Sequence, residues 1–136
     1  MADVTVTAAN VVPTGSSLRE TGIAGVALTA GKTVYKEAAT GQFKLADADH
    51  ATLEARIPYG ITCNDAAIGQ PVTVVTSGDI GFGVVLTAGI AYYQSDTPGG
   101  IGVIIDLEAG DRIVFLGFAT TTANLNVRIV DSGVVL

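Results

Sequence analysis

The side chains of this 136-residue chain that could perform chemistry are few and scattered. His50 is its only histidine, beside Asp49 and near Glu54, types that could furnish a general base or a metal ligand. With no nucleophile in motif context, one imidazole gives too little geometry for catalysis, and it reads as an exposed residue of a polar loop or short helix. Cys63 is the only cysteine, so it can form no disulfide within the chain and no thiolate cluster. No signature of a cysteine nucleophile surrounds it, and its type fits a small buried apolar role.

Two groups of carboxylates could invite a hard cation, which takes oxygen ligands. Asp47, Asp49 and Glu54 form one, and Asp106, Glu108 and Asp111 the other. The first has neither the spacing of a calcium loop nor its glycine and reads as a solvated face with a helix cap; the second is discounted likewise. The glycine runs Gly78-Asp-Ile-Gly81-Phe-Gly83 and Gly99-Gly-Ile-Gly102 lack the order of a dinucleotide fingerprint, a phosphate-loop lysine and a following helix. Next to β-type residues they mark bends or close strand approaches. The expectation is no catalytic residue, no cofactor, no metal, and a protein that is not an enzyme.

What must position these side chains is a set of short strands. Hydrophobic residues make up 49% of the chain and charged ones 15%, which excludes the disordered class. Seventeen glycines, many Val and Thr, and no Trp favour strands joined by tight turns. The formal charge of −6, with basic residues scattered singly, argues against nucleic acid and anionic membranes as partners. The N-terminus lacks the pattern of a secretory signal, and apolar tracts such as Ile80 to Tyr93 are broken by Gly and Thr, so the expectation is a soluble protein made in the cytoplasm.

Strands are expected at about 22–29, 33–37, 42–45, 56–62, 71–77, 80–87, 90–95, 101–105, 111–118 and 125–131. One short helix is expected over Ala48 to Arg56, with Asp47 or Asp49 as its cap. Residues 1–21 form an extended arm with Val4 and Val6 on one side and Thr5 and Thr7 on the other. The arm either closes the protein's own sheet or adds a strand to another subunit; Val4, Val6, Val11 and Val12 are its candidate contacts with a capsid or a neighbouring subunit.

Beyond the arm, one stretch is used twice. Gly25-Val-Ala-Leu-Thr-Ala-Gly31, followed by Tyr35, returns as Gly83-Val-Val-Leu-Thr-Ala-Gly89, followed by Tyr93, at a constant offset of 58 residues. Val72-Thr-Val-Val-Thr-Ser-Gly78 returns as Val127-Arg-Ile-Val-Asp-Ser-Gly133 at an offset of 55. Residues 22–136 are therefore expected to form a single all-β domain, a small β-barrel or β-sandwich of two tandem similar units, about 22–79 and 80–136. Gly31 and Gly89 are expected to supply the positive φ of a tight turn.

Taken in order, Gly25 to Gly31 with Tyr35, Ala39-Thr40-Gly41, Leu45-Ala-Asp-Ala-Asp49, Gly69-Gln-Pro-Val72, Gly99-Gly-Ile101, Asp106-Leu107 and Val130-Asp-Ser-Gly-Val134 resemble the small head decoration, or cement, proteins of tailed bacteriophages. The opening Met-Ala-Asp-Val-Thr-Val-Thr-Ala-Ala-Asn10 looks like them too. The resemblance implies a non-enzymatic virion protein on the outer capsid surface, bound to the major capsid protein, often as a homotrimer, that stabilises the head by bridging capsomers. It assigns no role to Cys63 or His50. The rival reading is a carbohydrate-binding or adhesion module, for which Tyr35, Tyr59, Tyr92, Tyr93 and the phenylalanines are the available aromatics.

Overall fold

Ten strands carry the fold in the computed structural model, which describes residues 3–136; Met1 and Ala2 of the expected arm lie outside the described residues. They are β1 (Val12–Pro13), β2 (Leu18–Ile23), β3 (Thr33–Lys36), β4 (Phe43–Leu45), β5 (Gly60–Thr62), β6 (Pro71–Gly81), β7 (Ala91–Gln94), β8 (Ile101–Gly102), β9 (Arg112–Ala119) and β10 (Asn124–Val135). The described residues contain no α-helix, only 3-10 turns at Ala8–Asn10, Leu53–Arg56 and Ile104–Asp106. The protein is all-β, a curled antiparallel sheet, as expected.

The strand order β4-β3-β5-β6-β10-β9-β7-β8 repeats one path from both ends, β4-β3-β5-β6 and β8-β7-β9-β10. The two paths join where β6 and β10 pair antiparallel, from Ser77 opposite Arg128 to Gly81 opposite Asn124. The duplicated heptad sits at the same place in both, with φ of +85° at Gly31 and +84° at Gly89 just before β3 and β7. Leu28 and Leu86 are both buried there. In place of the strand ends expected over 25–28 and 83–86 there are bends at residues 25, 26, 83, 84 and 86 and a single isolated bridge from Leu28 to Ala66. Each stretch crosses to another segment: Leu28 N–H donates to the Ala66 carbonyl, and Leu86 N–H to that of Thr122.

The strand expected over 71–77 runs on to Gly81 as β6 and takes in only the start of the one expected over 80–87; residues 82–87 form no strand. The first part of β6 pairs with β2, from Pro71 opposite Ile23 to Ser77 opposite Leu18, and its last part pairs with β10. β6 is thus the last strand of one unit and the first of the next. Gly78, read as a bend or a close strand approach, lies inside it at φ +93°. β10 in turn runs to Val135, beyond the expected end at 131.

Each unit rolls on itself, and the seams differ. In the first, Ala24 bridges Phe43, and Gly25 N–H donates to the Phe43 carbonyl at 2.8 Å. In the second, Val4 N–H donates to the Ile101 carbonyl at 2.8 Å, and β1 lies along β6 with Val12 opposite Gly81. The arm therefore lines the second unit like an additional strand. The cores are separate clusters, one with Phe82, Ile101, Leu116 and Leu125, the other with Phe43, Val34, Val72 and Val74. A fully buried Phe, Ile, Leu or Val side chain contributes roughly 1.5–3 kcal/mol.

The segment expected as a helix forms only the turn Leu53–Arg56, and Thr52 caps it with no side-chain bond. The reason is competition for backbone groups: Ala48 N–H donates to the Ser95 carbonyl at 3.0 Å, and the Ala48 carbonyl accepts from Arg112 N–H at 2.9 Å. A helix this short cannot outweigh such bonds. Among the described residues no helix is long and apolar enough to cross a membrane.

Candidate functional site

The same bonds at Ala48 gather three loops and their acids. Asp49, Asp96 and Asp111 bring carboxylate oxygens to within 4.8 Å of one another, with Asp111 only 1% exposed. Asp111 Oδ2 accepts from Glu108 N–H at 2.8 Å. The structure thus takes one residue from each of the two carboxylate groups seen in the sequence and adds Asp96 from the Pro98 turn. Glu54 goes elsewhere and accepts from Ala38 N–H. No local spacing could have revealed the trio, because backbone pairing between distant loops creates it.

Oxygen donors of this kind suit a hard cation, but three carboxylates fall short of the six to eight ligands calcium takes. Protons are the other remedy for crowded acids. Burial first, and Asp49 second, push the Asp47 carboxyl up to about 6. Burial also raises that of Asp111, with Asp96, Asp49 and Glu108 adding to it and the Glu108 N–H opposing. Both groups have folded-state values above the unfolded ones, so ionisation works against folding. For Asp47 the unfavourable contribution is complete above about 6, and for both groups it is relieved as pH falls toward 3.8, the ordinary aspartate value. Asp111→Asn keeps an oxygen for Glu108 N–H and removes one charge. It is expected to raise stability at pH 7 by on the order of 1 kcal/mol, a gain that shrinks by pH 4. Thermal melts followed by circular dichroism across that range check it; a less stable variant at pH 7 would refute the repulsion.

The remaining candidates stand apart. His50 is exposed, with Nδ1 accepting from Thr52 N–H at 2.9 Å. Cys63 is half-buried, and burial raises its thiol pKa, which disfavours the reactive thiolate. Where the units meet, the fully buried Gln94 donates through Nε2 to the carbonyls of Ala46 and Ser95 at 3.1 and 2.9 Å. Gln94→Leu, which leaves both bonds unmade, is expected to cost about 1–3 kcal/mol in chemical denaturation. An unchanged midpoint would show that the amide is not a tie between the units.

In the arm, Val4 and Val6 are half-buried and Thr5 and Thr7 exposed, the alternation expected. Val11 is 7% exposed within the second unit's core, whereas Val12 is 54% exposed. A shallow cleft of about 390 Å³ lies beside the arm, lined in part by Val4, Val85, Ile90 and Val103.

The sequence named Tyr93 and the phenylalanines as available aromatics but not the cluster that three of them form. Tyr93 and Phe115 pack edge to face with ring centres 5.8 Å apart, and Phe115 and Phe118 do so at 5.1 Å. Phe115 and Phe118, three apart on β9, would face opposite ways in a regular strand. A register shift between Tyr92 opposite Gly117 and Tyr93 opposite Phe115 brings them together. Phe118 is 55% exposed, as is Val130 to a similar extent on β10 opposite Phe115. By contrast Tyr35 and Tyr92 are buried. No protein-family model matches the chain, and no curated protein sequence matches it.

Proposed function

We propose that this chain is a head decoration protein that binds the outer surface of an assembled phage capsid and stabilises it by bridging neighbouring capsomers. The observation that carries the reading is the Tyr93–Phe115–Phe118 cluster, in which the half-buried Tyr93 and Phe115 back the exposed Phe118. Exposed apolar patches rimmed by polar residues mark contact surfaces, and aromatic side chains carry much of the energy at protein interfaces. The resemblance of the sequence to cement proteins supplies the partner, the major capsid protein, and the trimeric state. A trimer engages several capsid subunits together, so modest single contacts become strong at high effective concentration. Such bridging opposes separation of capsomers under the pressure of packaged DNA.

Co-sedimentation with purified capsids tests the proposal. Phe118→Asp is expected to weaken binding by about tenfold or more while the circular dichroism spectrum stays unchanged. Val12→Lys tests the exposed side of the arm in the same assay. Coating of capsids by neither the wild type nor the variants would refute the reading.

A second reading, a carbohydrate-binding module, is favoured by one observation on the first unit. Tyr59 is 38% exposed, its hydroxyl donates to Glu20 Oε1 at 2.8 Å, and Lys36 stands 5.4 Å from its ring centre. A ring flanked by a carboxylate and an amine could seat a sugar. A specific hit on a glycan array, together with no capsid binding, would put this reading first.

A further inference from the structure

Three segments drawn from both units close a ring of main-chain bonds. Thr33 N–H donates to the Gly99 carbonyl at 3.1 Å, Gly99 N–H to that of Ala46 at 2.7 Å, and Ala46 N–H to that of Thr33 at 3.1 Å. Thr33 opens β3 and Ala46 follows β4, both in the first unit, whereas Gly99 lies between β7 and β8 in the second. Gln94, the last residue of β7, joins the ring where its Nε2 donates to the Ala46 carbonyl. Thr33, Ala46 and Gln94 are all wholly buried.

Two side-chain oxygens at this ring are left over. Among the described residues, the buried side-chain polar atoms with no hydrogen-bond partner are Thr33 Oγ1 and Gln94 Oε1. Turning the amide over would not help, because the Ala46 and Ser95 carbonyls that hold Nε2 can only accept. The hydroxyl can donate and the amide oxygen can accept, yet they do not bond each other. Groups left this way inside a protein are costly, and ordered water is what commonly meets them.

We propose that the junction of the units holds one internal water molecule, which accepts from the Thr33 hydroxyl and donates to Gln94 Oε1. Thr33 and Gln94 each reach the same residue, Ala46, by one hydrogen bond, so one small ligand serves both. The Thr33 and Gly99 carbonyls keep a second lone pair for its other hydrogen, which completes the three or so bonds of a buried water. Both side chains are neutral, so a cation would be buried here without a counter-charge. The site belongs to the junction and not to the repeat: at the offset of 58 residues Ala91 takes the place of Thr33, and the exposed Lys36 that of Gln94.

A high-resolution crystal structure tests this, together with a double-mutant cycle. The wild type is expected to show one density peak within hydrogen-bond distance of both oxygens, and Thr33→Val, nearly the same in shape, to lack it. In chemical denaturation Thr33→Val lowers the midpoint, and Thr33→Val/Gln94→Leu lowers it by less than the two single losses together, since the same water is lost only once. No peak in the wild type, two peaks with one on each oxygen, a peak ringed by oxygens in the geometry of a metal ion, or strictly additive losses would overturn the proposal. The wild-type density decides alone if a variant fails to fold.

Discussion

Gly78→Ala is expected to cost at least about 3 kcal/mol, whereas Gly133→Ala at the repeat-equivalent position costs about 1. Both glycines have positive φ, +93° and +75°, so an added Cβ meets the same backbone penalty at each. What differs is space. A Cβ at Gly78 would lie 2.6 Å from the Cα of Ser17, a backbone atom that cannot swing away, while nothing lies within 4 Å of the corresponding point at Gly133. Ser17 passes there because it leads into β2, which occupies one side of β6 as far as Ser77. Urea or guanidinium denaturation of both variants measures the difference. Equal losses would mean that the shared strand is not pinned against the segment entering β2.

Removal of residues 2–12 is expected to destabilise the second unit by about 3 kcal/mol or more. The truncation loses the buried Val11, the half-buried Val4 and Val6, and the bond from Val4 N–H to Ile101. It also uncovers Phe82 and Ile101, both wholly buried in the intact chain. The melting temperature should fall by roughly 6–12 °C for a chain of this size. A truncated protein that melts like the wild type would place the arm outside the fold's energetics and return it to service as a free tether. Because the arm belongs to the core, its loss of capsid binding would say nothing about direct contact. The exposed Val12 is the position at which that contact is to be probed.

The repeat was legible because its turns depend on local chemistry. Gly31 and Gly89 stand where a Thr-Ala-Gly turn demands positive φ, and they adopt it almost identically. Alternation in the arm was legible for the same reason, since one side of an extended segment meets the core. Gly78 reads as a bend or a close strand approach, and Ser17 does come close to it; what the sequence missed is that the strand does not break at 78–79 but runs on to Gly81. The 48–56 segment was misread because helix propensity is local, while Ser95 and Arg112, which claim the Ala48 backbone, are distant in sequence. The Asp49–Asp96–Asp111 group and the Tyr93–Phe115–Phe118 face needed knowledge of which loops meet and where β9 shifts register.

The shared strand has a consequence for how the molecule comes apart. A cut between residues 79 and 80, where the repeat alone would divide the gene, severs β6 and strips each fragment of part of its wall. Neither half can then be expressed as a self-sufficient piece, and heating should give one calorimetric peak whose van't Hoff and measured enthalpies agree. The duplication looks like two modules in the sequence, yet the strand they share is expected to make them melt as one.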